Sequence, residues 1–172
     1  MAFLLLIPFL GVRFGLLWLL SREAVGRAAH FAPLQGKERG AYLLYQAATA
    51  AMLICPFFLR VQVKPAWLLC AGAFVYAAGL ALLTRAVADF AAPAEGGLRQ
   101  SGLYRFSRNP MYVAYFLFFL GCALLTRSPV WLAFVLVFQV SAHWIVLSEE
   151  RWCAQMFGDA YLAYAKRVRR YL

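Results

Sequence analysis

The chain has 172 residues, of which 65% are hydrophobic, 17% aromatic and 14% charged, with a formal net charge of +10. At a mean hydropathy of +0.70 it has too little polar surface for a water-soluble globule of this length, which excludes the soluble enzyme folds and points to an integral membrane protein. The basic residues fall in short stretches beside apolar runs, so membrane orientation accounts for them and no nucleic-acid partner is expected.

Five apolar runs approach the roughly 20 residues that carry a helix across about 30 Å of hydrocarbon: 2–20, 41–59, 66–84, 111–126 and 130–147. None alternates with period two, as barrel strands would, so the expected fold is all-α with about five transmembrane helices. The first run lacks a basic leader and a small-residue cleavage pattern, and Arg13 interrupts it. It is read as a retained helix rather than a signal peptide.

Arg22, Arg27, Lys37 and Arg39 follow the first run; Arg85, Arg99, Arg105 and Arg108 follow the third; Arg151, Lys166, Arg167, Arg169 and Arg170 follow the fifth. The other side holds only Arg60, Lys64 and Arg127. The positive-inside rule therefore sets the N-terminus outside and the C-terminus in the cytoplasm, and the expected location is the bacterial inner membrane.

Residues 21–39 contain Pro33 and Gly36 and read as a connector. The second run ends near Pro56 and Arg60, residues 61–65 make a short outer turn, and Gly72 and Gly79 in the third run offer small faces for close helix packing. These three helices are read as scaffold. Residues 85–100 change composition, with Pro93 and Gly96-Gly97 as breakers and Asp89 and Glu95 adding charge, and are expected to form a cytoplasmic loop. The chain has neither GxGxxG nor GxxxxGK[ST], so soluble-type nucleotide binding is excluded.

The next tract, Gly102-Leu-Tyr-Arg-Phe-Ser-Arg-Asn-Pro-Met-Tyr112, opens the fourth helix. Pro110 suits its first turn and Asn109 its N-cap. The free N–H groups and positive dipole end there, with Arg105 and Arg108 beside them, can receive a carboxylate or phosphate. The plainer alternative is that both arginines serve topology alone. The fourth and fifth helices form a hairpin over Arg127-Ser128-Pro129, so the tract and the acid pair Glu149-Glu150 end on one side. In the fifth helix Gln139, His143 and Glu150 share a face, a polar stripe expected to meet protein or water rather than lipid. An ion pair of the acids with Arg105, Arg108 or Arg151 is their structural reading.

Beyond the acids the helix continues to Phe157, Gly158 is a stop, and Asp159 can cap a last amphipathic helix with Tyr161, Tyr164 or Ala165, Val168 and Leu172 on one side. That helix is expected to lie on the cytoplasmic leaflet and to lid a site at its mouth. Cys55, Cys70, Cys122 and Cys153 have no CxxC spacing and read as small hydrophobes, and His30 and His143 stand too far apart for a ligand set, so no metal is expected.

The segments Gly102-Leu103-Tyr104-Arg105, Arg108-Asn109-Pro110-Met111-Tyr112, Glu149-Glu150-Arg151, Phe157-Gly158-x-x-Tyr161-x-x-Tyr164 and Arg167-Val168-x-Arg170 together resemble the isoprenylcysteine carboxyl methyltransferase and phospholipid methyltransferase group of membrane enzymes. The resemblance covers residues 98–172, which then form the methyltransferase core after a scaffold of residues 1–97. Where that group commonly has Arg-His-Pro-x-Tyr and Gly-Pro-Tyr-Arg, this chain has Asn109 and Leu103, so no role needing an imidazole carries over to position 109.

The resemblance implies S-adenosyl-L-methionine as cofactor, entering from the cytoplasm and held by Tyr104, Arg105, Arg108, Asn109, Pro110, Tyr112, Glu149 and Glu150. The candidate catalytic residues are Glu150, Arg151 and His143. A carboxylate acceptor needs no base, whereas an amine or thiol must lose a proton, for which a glutamate or His143 is nearest. The expected acceptor is a lipophilic small molecule or lipid headgroup arriving from the bilayer. Two other readings stand beside this one: an NADPH-dependent membrane lipid reductase, disfavoured by acids where a 2′-phosphate cradle would close, and a non-catalytic membrane subunit whose Arg and Glu residues only pair.

Overall fold

The computed structural model describes residues 1–29, 32–36, 38–92 and 94–171, without the side chains of residues 27–29 and 95. The sequence readings on His30, Lys37, Pro93 and Leu172, and on the side chains of Arg27 and Glu95, lie outside the described residues.

Among the described residues four helices are long and apolar enough to cross a membrane: α1 (Ala2–Leu20), α3 (Glu38–Phe58), α4 (Ala66–Ala91) and α6 (Pro129–Arg167). Between them lie the short α2 (Arg22–Ala29) and α5 (Pro110–Thr126), an apolar helix of 17 residues. With α5 as the fifth crossing, the five apolar runs all become helices, and the protein is an all-α integral membrane protein.

Two helix ends differ from the sequence reading. Helix α4 runs past Thr84 to Ala91, because Arg85 and Asp89 pair one turn apart at 3.1 Å and so keep the charged stretch helical. It stops where Ala92, the residue before a proline, takes an extended ψ of 146°. Helix α6 has 39 residues, of which the 29 before the break at Gly158 span about 43 Å of α-helix, well over the hydrocarbon thickness of about 30 Å, so its C-terminal part must project beyond the bilayer. We place the crossing at 130–147. Gly158, at φ 52° and ψ −131°, breaks α6 and lets its last segment turn back, as its reading as a stop required.

Packing begins with α4 against α5. A Cβ on Gly79 would overlap the Phe118 backbone, and one on Gly121 the Tyr76 backbone. The two backbones therefore touch, which is how helices gain attraction in a solvent as apolar as their side chains. On the other side α3 lies along α6. Helix α1 joins the two pairs: Phe9 meets Phe118 at 4.9 Å and Phe119 at 5.0 Å between ring centroids, Tyr76 donates to the Leu5 carbonyl at 3.0 Å, and Phe3 stacks on Phe57 of α3 at 5.1 Å.

Contacts between helix ends tie each side together. On the far side Ala2 N–H donates to the Leu59 carbonyl at 3.0 Å, Gln62 N–H to Leu125 at 2.8 Å and Arg127 to Lys64 at 3.0 Å. On the side of the Gly102–Tyr112 tract, Arg151 at the end of the α6 crossing bonds Glu38 at the start of α3. Alternate helix ends thus share a side, as the count of basic residues requires.

Candidate functional site

The tract is locked to the scaffold by Asp89. At Gly102 the backbone takes φ 64°, a turn that brings the chain against the Asp89 carboxylate with no room for a Cβ. Asp89 Oδ2 accepts from Leu103 N–H at 2.8 Å and from Arg85 Nε at 3.2 Å. Pro110 is buried in the first turn of α5. Asn109 occupies the N-cap position, but its side chain makes no cap hydrogen bond. Its backbone N–H donates to Ser107 Oγ at 3.2 Å, and its side-chain amide donates to the Arg170 carbonyl at 3.1 Å and Glu150 Oε1 at 3.4 Å.

Glu150 is the hub of the charged cluster. Arg170, from the chain after α6, donates to it from Nε at 3.1 Å and from Nη2 at 2.9 Å, and Arg108 Nη2 lies 3.3 Å from Oε1. Glu150 and Arg108 are 12% and 13% exposed at their side chains, so this is a nearly buried pair. Arg108 Nε is buried and has no hydrogen-bond partner among the described residues. A carboxylate or phosphate would satisfy it.

Glu149 faces another way and accepts from the Tyr112 hydroxyl at 2.9 Å. Burial pushes its carboxyl up to about 7, against the opposing effect of the Tyr112 hydroxyl and with a smaller contribution from neighbouring Glu150. Burial likewise raises Tyr104 above the usual phenol range, which keeps its ring neutral.

These groups open on a cavity of about 1020 Å³. Its mouth is lined by Arg108, Asn109, Tyr104, Glu149 and Glu150, with Tyr112 just inside. Tyr161 and Tyr164 roof it from the segment after Gly158, where Tyr164 donates to the Tyr104 carbonyl at 2.6 Å. The last amphipathic segment thus turns its tyrosine face onto the tract. The cavity's inner part is walled by Phe9, Leu53, Phe119 and Phe138, side chains from four crossing helices.

Tyr104, Arg108, Asn109, Tyr112, Glu149 and Glu150 are therefore gathered around one space. Arg105, Pro110, His143 and Arg151 do not line it. Arg105 is exposed and lies over the Phe106 ring at 5.1 Å. Arg151 turns from the acid pair to Glu38, donating at 2.8 and 2.6 Å. His143 Nδ1 lies 3.0 Å from the Tyr171 hydroxyl, so the polar stripe of α6 faces the C-terminal segment. The sequence reading passed over Arg13, which lines the cavity from α1. Its signal was a charge inside a spanning run, a feature that in membranes marks function more often than packing. Among the described residues no group of three or more His, Cys, Asp or Glu could hold a metal ion, and all four cysteines are free.

Residues 66–160 match the model of a family described as phospholipid methyltransferase. No curated protein and no solved structure matches the chain.

Proposed function

Since the chain belongs to the phospholipid methyltransferase family, we propose that it transfers a methyl group from S-adenosyl-L-methionine to a lipophilic acceptor at the cytoplasmic boundary of the membrane. Held there, S-adenosyl-L-methionine would supply an electrophilic methyl carbon on a sulfonium, for an acceptor's lone pair to take with release of a neutral thioether.

The buried Nε of Arg108 beside Glu150, with no hydrogen-bond partner among the described residues, is the observation that carries this reading. Arg108, beside the positive dipole end of α5, suits an α-carboxylate. Glu149 or Glu150 suits an ammonium or ribose hydroxyls, and Tyr104 and Tyr112 offer faces to adenine or to the positive sulfur. Arg151 and His143, outside the cavity, act as positioning residues. Arg151 ties the acid-bearing turn of α6 to α3, and His143 anchors the chain that carries Arg170.

Positioning of the two reactants in a dry pocket is where most of the acceleration arises, about 7–11 kcal/mol in favourable cases. Tyr161 and Tyr164 line that pocket from the segment after Gly158. A carboxylate acceptor reacts as it stands, whereas an amine or thiol first gives up a proton, and Glu149, with its raised affinity for protons near pH 7, is placed to take it.

The deciding experiment is binding to purified protein in detergent. S-adenosyl-L-methionine should bind and NADPH should not. Binding of NADPH alone would make the chain a reductase, and binding of neither would reduce the Arg and Glu cluster to structural pairing.

A further inference from the structure

The acids and arginines around the cavity mouth are not paired one to one. Glu150 takes two cations. Arg170 donates to it from Nε to both carboxylate oxygens at 3.1 Å and from Nη2 to Oε2 at 2.9 Å, whereas Arg108 reaches it through Nη2 alone, 3.3 Å from Oε1. The Asn109 amide adds a further contact at 3.4 Å. A carboxylate offers about four lone-pair positions, so the protein's own donors fill Glu150. Glu149 bonds the Tyr112 hydroxyl instead, and burial holds its carboxyl up to about 7, so near neutrality it offsets only part of the positive charge.

Arg170 does not itself line the cavity, and its backbone is fixed where it stands. Its carbonyl accepts from the Asn109 amide at 3.1 Å and from Ser107 Oγ at 3.4 Å, and the Arg169 carbonyl before it accepts from Arg108 N–H at 2.9 Å. The more exposed cation, Arg170 at 34%, thus takes the better geometry on Glu150, and the more buried one, Arg108 at 13%, is left with one contact to it. The Tyr161 hydroxyl, within hydrogen-bonding reach of the Arg108 guanidinium, is neutral and cancels none of its charge. A guanidinium that has a carboxylate to itself closes on it through two parallel bonds. Arg170 prevents Arg108 from doing so.

We infer that Arg170 is a positioning residue: by taking up the charge of Glu150 it leaves the charge of Arg108 for the α-carboxylate of the cofactor. This rests on the methyl-transfer reading above and adds the residue that keeps this end of the site positive. Without Arg170, Glu150 and Arg108 would neutralise each other, and an anionic group would meet no net charge there.

The test is calorimetric titration of the full chain in detergent with S-adenosylhomocysteine and 5′-methylthioadenosine. Both are adenosine thioethers, and only the first carries the amino-acid group. Arg170→Gln should weaken S-adenosylhomocysteine about ten- to a hundredfold, the size of a lost charge-assisted contact, and leave 5′-methylthioadenosine unchanged. Arg170→Lys, which keeps the charge, should recover most of the loss. Equal loss for both ligands would make Arg170 a purely structural tie and overturns the proposal. Unchanged or tighter binding of S-adenosylhomocysteine overturns it as well, as does an Arg170→Lys variant no better than Arg170→Gln. S-adenosyl-L-methionine binding to the wild type separates the two layers: its absence sinks the methyl-transfer reading and this inference with it, whereas its presence with any of those outcomes sinks this inference alone.

Discussion

Arg170 holds Glu150 through three hydrogen bonds, from Nε to both carboxylate oxygens at 3.1 Å and from Nη2 to Oε2 at 2.9 Å. Twenty residues separate them, and between lie the break at Gly158 and the tyrosine roof. One carboxylate therefore fixes both the cavity mouth and the chain that covers it.

Removing that charge should be felt by the cofactor. Glu150→Gln and Arg108→Ala should each weaken S-adenosyl-L-methionine binding by roughly ten- to a hundredfold, since charge-assisted contacts are worth about 1.5–3 kcal/mol. Calorimetric titration, with thermal unfolding as a control for folding, measures this. Unchanged affinity in both variants would return the pair to a structural role.

Glu149 should make stability fall with pH. Its carboxyl is raised on folding from 4.5 to about 7, so the folded state binds its proton more tightly than the unfolded chain. The group's contribution is complete below about pH 4.5 and is lost as pH rises through about 7, on the order of 3 kcal/mol from a shift of this size. Thermal melting in detergent between pH 5 and 8 should show the decline in the wild type and a flatter profile in Glu149→Gln. Parallel profiles would contradict the assignment.

The seam between α4 and α5 should tolerate no added methyl group. Gly79→Ala and Gly121→Ala force a Cβ into the opposing backbone and should each cost about 1–3 kcal/mol or more, as overpacking does. Gly15→Ala, where nothing lies within 4 Å, is the control and should melt close to the wild type. Equal melting temperatures for all three would mean that the helices are further apart than the structure has them.

Orientation is testable by fusion. An alkaline phosphatase reporter, active only outside the cytoplasm, should be silent at the C-terminus and active in the turn after Arg127. The reverse pattern would invert the protein and move the cavity mouth to the other face.

The helices were legible because length and hydropathy alone decide what can cross a bilayer; the run 66–84 marks α4 without any tertiary contact. Gly158 was legible because a glycine before an amphipathic segment has a local backbone meaning. Side-chain pairing was harder to read. Arg151 adjoins Glu150 in sequence yet binds Glu38, 113 positions away, a choice made by how α3 lies along α6. Asn109 has the residue type of an N-cap, yet its side chain is used by the C-terminal segment, which folds back from far along the chain. Arg13 looked like an interruption because its meaning depends on a cavity that several helices build together.

The hydrogen bond from Leu103 N–H to Asp89 bears on how the sequence can vary over evolution. In the group that this tract resembles, the position often holds proline, which has no N–H to offer. A chain with leucine there gains a donor, and Asp89, only 5% exposed on α4, accepts it. Positions 89 and 103 should thus change together across homologues: an acid where the second position keeps an amide proton, and freedom to lose the acid where proline takes it away. A substitution at position 103 alone that removes the N–H would leave the Asp89 carboxylate to its pairing with Arg85, 14 residues from the lost donor.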